Sequence, residues 1–174
     1  MRTPLGIASI VLVLLSVSVA CTERRSGVHD ADLQQMVRLL MPQRVEIVEA
    51  FTRFASFDDD ALPDGIELLI LPVDSFGEAV KIAGTVRVEL YAFEQASGEQ
   101  KGMRVCAPWE IELLTEQDQE RYWNTVTGMY EAELELPAGA VPRGEKYVLL
   151  VTYNTPLAEH MTDECVLEIP ANLG

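Results

Sequence analysis

Basic side chains are scarce in this chain. Lys and Arg number 13 against 28 Asp and Glu, and the net charge at pH 7 is −15. Nucleic acid is bound by clustered Lys and Arg that displace counterions, so this balance excludes it as a partner. The same acidity disfavours anionic lipid headgroups, so attachment to a membrane would have to come from something other than charge. Histidine occurs only at His29 and His160. There is no His/Cys cluster with zinc spacing and no glycine-rich loop of the phosphate-cradling kind. A catalytic thiol needs a neighbouring base, and two histidines leave little choice. Long helical periods between strands are missing, which excludes a parallel α/β sheet. After residue 20 no apolar run is long enough to span a bilayer.

What is present begins with a leader. Met1-Arg2-Thr3-Pro4 is a short basic start, residues 5–15 are almost wholly apolar, and small residues close the stretch at Ser18 and Ala20. This is the layout of an export signal. The apolar segment is about 16 residues, roughly 24 Å as a helix, and short of the ~30 Å hydrocarbon core. Val19-Ala20-Cys21 resembles the lipobox of bacterial lipoproteins, although Ser18 stands where leucine is usual. The resemblance implies cleavage after residue 20. A diacylglycerol on Cys21, with acyl chains of the palmitate type, would then anchor the chain to the membrane. Ordinary secretion with a nearby cut stays open. So does an uncleaved anchor, to which Arg24 and Arg25 would add a cytoplasmic bias.

Residues 1–20 are thus expected to be a signal peptide, 21–31 a flexible polar tether, and 32–174 one domain. Leu33, Met36, Val37 and Leu40 recur at helical spacing behind Asp30 and Asp32, and Pro42 stops the run. This helix is expected to cover one end or edge of the domain. From Arg44 onward the period changes to two. Seven strands are expected, at about 44–54, 65–73, 84–93, 104–114, 129–136, 146–153 and 162–169, separated by turn residues. Tyr130, Ala132, Leu134 and Leu136 alternate with Glu131, Glu133 and Glu135, the clearest such pattern. Pro108 marks an edge strand or bulge. Thr115-Glu116-Gln117-Asp118 reads as a capped helical turn running towards Trp123. The fold class is therefore all-β: a seven-stranded antiparallel β-sandwich with a short N-terminal helix.

The stretch from Gly65 through Val80-Lys81-Ile82-Ala83-Gly84 to Val86-Arg87-Val88-Glu89-Leu90-Tyr91 resembles immunoglobulin-like and transthyretin-like modules of bacterial surfaces. Tyr147-Val148-Leu149-Leu150-Val151-Thr152-Tyr153 resembles their penultimate strand. With the lipobox, the chain is similar to bacterial lipoproteins carrying one such sandwich. The resemblance implies an Ig-like fold and a binding, spacing or scaffolding task in the cell envelope, with no catalysis and an envelope protein as partner.

The remaining polar groups supply candidates. Cys106 and Cys165 form an even pair in an oxidising compartment, so a disulfide is expected. It would close a loop near 60 residues and contribute about 4 kcal/mol in the chain-entropy account. Asp58, Asp60, Asp64 and Glu67 are candidate calcium ligands in the acidic stretch 58–67, since calcium takes six to eight hard oxygens. Pro63, however, stands where a calcium loop counted from Asp58 has glycine. A solvated turn, its Asp side chains accepting from backbone donors, is the plainer account. Trp109, Tyr122, Trp123 and Tyr130 would either line a groove or complete the core. Glu110, Glu112, Glu116 and Glu120 would suit a hydrolase only if two of them converge. His160 lies near Asp163 and Glu164, without a serine or cysteine motif. The alternatives to a binding module are thus a calcium-binding envelope module and an envelope hydrolase.

Overall fold

The structure is a computed structural model that describes residues 30–58, 63–96, 98, 100–138, 140 and 145–169. Among these residues it is mostly β, with two five-stranded antiparallel sheets and two short helices. In chain order the elements are α1 (Asp30–Leu40), β1 (Arg44–Ile47), β2 (Arg53–Ala55), β3 (Gly65–Val73), β4 (Thr85–Phe93), β5 (Lys101–Arg104) and β6 (Trp109–Glu112). They continue with α2 (Glu116–Tyr122), β7 (Trp123–Asn124), β8 (Met129–Glu135), β9 (Lys146–Asn154) and β10 (Met161–Glu168).

One sheet runs β1–β3–β8–β7, with β2 also on β3. The other runs β10–β9–β4–β5, with β6 also on β4. The alternation read in the sequence becomes the inner faces. Val86, Val88 and Leu90 of β4 are fully buried, and Tyr130, Ala132 and Leu134 of β8 are buried opposite them in the same core. Leu149, Val151 and Tyr153 of β9 and Leu167 of β10 complete it. Each such aliphatic side chain contributes about 1.5–3 kcal/mol by leaving water.

Among the described residues ten strands stand where seven were expected, for three local reasons. The first expected strand splits into β1 and β2, both antiparallel to β3. Between them the chain bulges at 48–52, and Thr52 fills the gap. Its hydroxyl accepts from the Leu69 N–H at 3.1 Å and donates to the Leu69 carbonyl at 3.4 Å. The fourth expected strand, 104–114, is reduced to β6, while β5 begins three residues earlier and shares only Arg104 with it; Pro108 lies between the two, both on the outer side of β4. That is the edge position expected for a proline without an N–H to donate. The two-residue β7 follows α2 and carries no period to read.

Two further expectations need correction. Helix α1 begins at Asp30, inside the stretch read as tether, and lies beside the β9–β10 turn without burying its apolar face: Leu33, Met36 and Leu40 are 52, 55 and 74% exposed. Cys106 and Cys165 are unbridged. Cys165 lies on β10 while Cys106 follows β5, with β9 and β4 between those strands. Three strand spacings are about 14 Å, well beyond the ~7 Å Cα separation that a disulfide spans.

Candidate functional site

The chain between β6 and β8 decides what one sheet edge looks like. Thr115 caps α2, its hydroxyl accepting from the Asp118 N–H, while the Asp118 carboxylate accepts from the Thr115 N–H at 2.9 Å. These bonds from Thr115 hold the Asp118 carboxyl below its ordinary range. Gln119 then bolts the helix to the core. Its amide donates to the Ile82 carbonyl at 2.8 Å and accepts from the Tyr130 hydroxyl at 2.7 Å, and that hydroxyl takes the Ile82 N–H at 2.9 Å. Burial pushes the Tyr130 phenol up, so it stays a protonated donor. Trp123 packs edge-on against Tyr130 at 4.9 Å, with the Lys81 ammonium 5.3 Å from the indole.

This anchoring leaves β7 short. It pairs only with Met129 and Tyr130, so among the described residues no strand borders 131–135 on the side away from β3. The Trp109 indole N–H, reaching from the other sheet, donates to the Glu135 carbonyl at 2.9 Å. That carbonyl therefore points out of the sheet edge. By the two-residue period the backbone groups of Glu133 and Glu131 point the same way. Beside them is a groove of about 470 Å³, bounded by Tyr122 and Arg121 of α2, Phe57, and the glutamates of β8. Glu67 stands directly opposite Glu133 across β3 and β8. Asn124 donates to Glu131 at 2.8 Å, and Arg53 pairs with Glu67 at 3.0 Å. The site thus offers a strand edge that no described strand pairs with, its Glu135 carbonyl taken by Trp109, flanked by carboxylates and with no cysteine, serine or histidine in its lining. Such an edge can accept an extended peptide.

The other candidates are dispersed. Asp64 accepts from the Phe57 N–H at 2.8 Å, Asp58 accepts from the Ser56 hydroxyl at 3.2 Å, and Glu67 is held by Arg53. Asp60 lies outside the described residues. No group of three or more potential metal ligands gathers among the described residues. The described carboxylates of the acidic stretch therefore serve a turn and an ion pair. Glu110 pairs with Arg87 at 3.1 Å, and Arg87 also binds Glu89, which Arg104 reaches at 3.0 Å. Burial alone would raise the Glu89 carboxyl, yet the hydrogen bonds from Arg87 and Arg104 hold it below its ordinary value.

Asp163 accepts from the Ile47 N–H at 2.7 Å, which ties the two sheets at their shared border. Glu164 pairs with Lys101, so each of these acids has a partner other than His160. Of the aromatics, Tyr122 lines the groove, Trp123 and Tyr130 pack on each other, and Trp109 closes the far end of the β8 edge. Cys165 is buried, its thiol pushed up to about 12 mainly by desolvation, and is inert in the folded protein. Cys21 lies outside the described residues.

Sequence reasoning missed the β8 edge. Its one available signal was the short distance from the capped turn at Thr115 to the strand at Met129, which leaves little chain for a full strand between them. No family model matches the sequence, and neither a curated protein nor a solved structure matches the chain. No helix among the described residues is long and apolar enough to cross a membrane.

Proposed function

We propose that this chain is a non-enzymatic binding module of the cell envelope, held to a membrane by lipid on Cys21, whose β8 edge receives an extended basic segment of a partner protein. The observation that carries the binding role is the edge at 131–135, bordered by no strand among the described residues on the side away from β3 and with three glutamates beside it. Strand addition there would supply main-chain hydrogen bonds, and Lys or Arg at alternate positions would meet Glu131, Glu133 and Glu135. Two copies meeting edge to edge would set the same glutamates against each other, which argues for a basic partner over self-association. The cleavage pattern ending in Cys21 supports an address outside the cytosol.

The module is immunoglobulin-like in this reading. With β1/β2 and β5/β6 each counted as one interrupted strand, the two sheets run first–second–sixth–fifth and eighth–seventh–third–fourth in chain order. That corresponds to the A-B-E-D and G-F-C-C′ arrangement of such sandwiches, with most of the D strand replaced by α2.

Two measurements on one sample test the proposal. Mass spectrometry of the protein from membranes should find diacylglycerol on Cys21. A photo-crosslinker at position 133 should give an adduct with a basic, extended peptide, lost in a variant carrying Glu131→Lys and Glu135→Lys. A cytosolic protein that retains Met1, or equal adducts from positions 133 and 112, would defeat it.

A further inference from the structure

Helix α1 presents an apolar face that the sandwich does not use. Leu33, Met36, Val37 and Leu40 follow the i, i+3, i+4, i+7 spacing, and only Val37 is half-buried. Gln34, Gln35 and Arg38 occupy the opposite side. On the helix side, the cleft between α1 and the β9–β10 turn is lined by Gln35, Val37, Arg38 and Leu39. Leu33, Met36 and Leu40 are therefore turned out of that cleft.

The covalent chain says what lies close to that face. This step rests on the proposed lipidation of Cys21. Between Cys21 and Asp30 stand about eight residues, which reach at most about 28 Å even when fully extended. The start of α1 would thus always be within that distance of the bilayer surface. A helix of 11 residues is about 16 Å long, so the whole apolar face lies within reach of the interface. Tethering raises the local concentration of lipid around it, so a contact too weak to hold a free protein is sufficient.

We infer that α1 lies along the membrane surface beside the anchor, with Leu33, Met36 and Leu40 at the boundary between headgroups and acyl chains. The occupant of the apolar face is lipid. Its recognition is apolar, because Arg38 is the one basic residue of the helix, against Asp30 and Asp32, and no basic cluster is present there. The contact fixes the tilt of the sandwich and holds its acidic body away from the headgroups.

The test uses the full acylated protein in vesicles of phosphatidylethanolamine and phosphatidylglycerol. A photo-crosslinker is placed in turn at Leu33, Met36 and Leu40, and at Gln34 and Arg38 for comparison. The first three positions should form lipid adducts several-fold more often than the other two, with little change as the phosphatidylglycerol fraction is varied. All five sites are on the exposed helix, and unchanged melting would show that the body still folds. Acylated Cys21 with no excess of lipid adducts on the apolar face would overturn this inference and leave the anchor standing. Adducts to a second protein chain from that face would overturn it equally. An unacylated Cys21 on a protein that leaves the membrane would sink both.

Discussion

The two sheets are built around pairs of long strands that differ in what borders them. In one, β4 and β9 are nine residues each, and both are flanked on either side: β9 by β10 and β4, and β4 by β9 and the β5/β6 pair. In the other, β3 is flanked by β8 and by β1 and β2, but among the described residues β8 beyond Tyr130 has β3 alone. The difference traces to residues 115–122. A capping box commits them to α2, so the segment bordering β8 is a helix rather than a strand. The outward charges differ in the same way. On the closed sheet Arg87 and Arg104 are balanced by Glu89 and Glu110, whereas the groove lining beside the open edge sets three glutamates of β8 against Arg121 of α2. The core is shared by both sheets, whereas the open edge belongs to one of them.

That contrast can be broken or sharpened at four points. The largest effect should come from Leu149→Ala at the centre of the closed sheet, where Leu149 is fully buried. A loss of about 2–5 kcal/mol is expected, measured by denaturant unfolding as one transition of the whole body. A local loss confined to β9 would mean that the two sheets do not share one core. Next is Tyr130→Phe, which removes the hydroxyl that receives the Ile82 N–H and donates to Gln119. It should cost about 1–3 kcal/mol, and hydrogen exchange should quicken in α2 and β7 while β4 and β9 stay protected.

Thr115→Ala removes the cap of α2 and should cost about 1 kcal/mol. Its faster exchange should be limited to α2, and an unchanged rate there would show that Gln119, not the cap, sets the helix. The smallest effect is the pH response of Glu89. Its folded-state carboxyl sits below the ordinary value near 4.5, so its contribution to stability is complete above the unfolded value. That contribution disappears as pH falls through the folded one. Glu89→Gln should flatten this part of the stability profile and leave the β8 edge untouched.

How much of this could be read beforehand varies by element. Strand β8 was plain, because Tyr130, Ala132 and Leu134 alternate with glutamates and one residue step exchanges faces. The α2 turn was plain as well, since Thr115 and Asp118 carry their own local hydrogen bonds. The break in the first strand was not, because it depends on the Thr52 hydroxyl meeting Leu69, 17 residues away. Pairing Cys106 with Cys165 followed from counting thiols and failed on strand order. The helical period of α1 identified an apolar face without saying what covers it, and the sandwich does not.

By itself the sequence determined the strands' faces, the two helices and the acidic character, since each follows from near neighbours and from composition. Tertiary structure alone decided which strands adjoin, which thiols stay apart, which carboxylates find arginines and which edge is left open. These outcomes depend on contacts between residues far apart in the chain, and local periodicity contains no term for them.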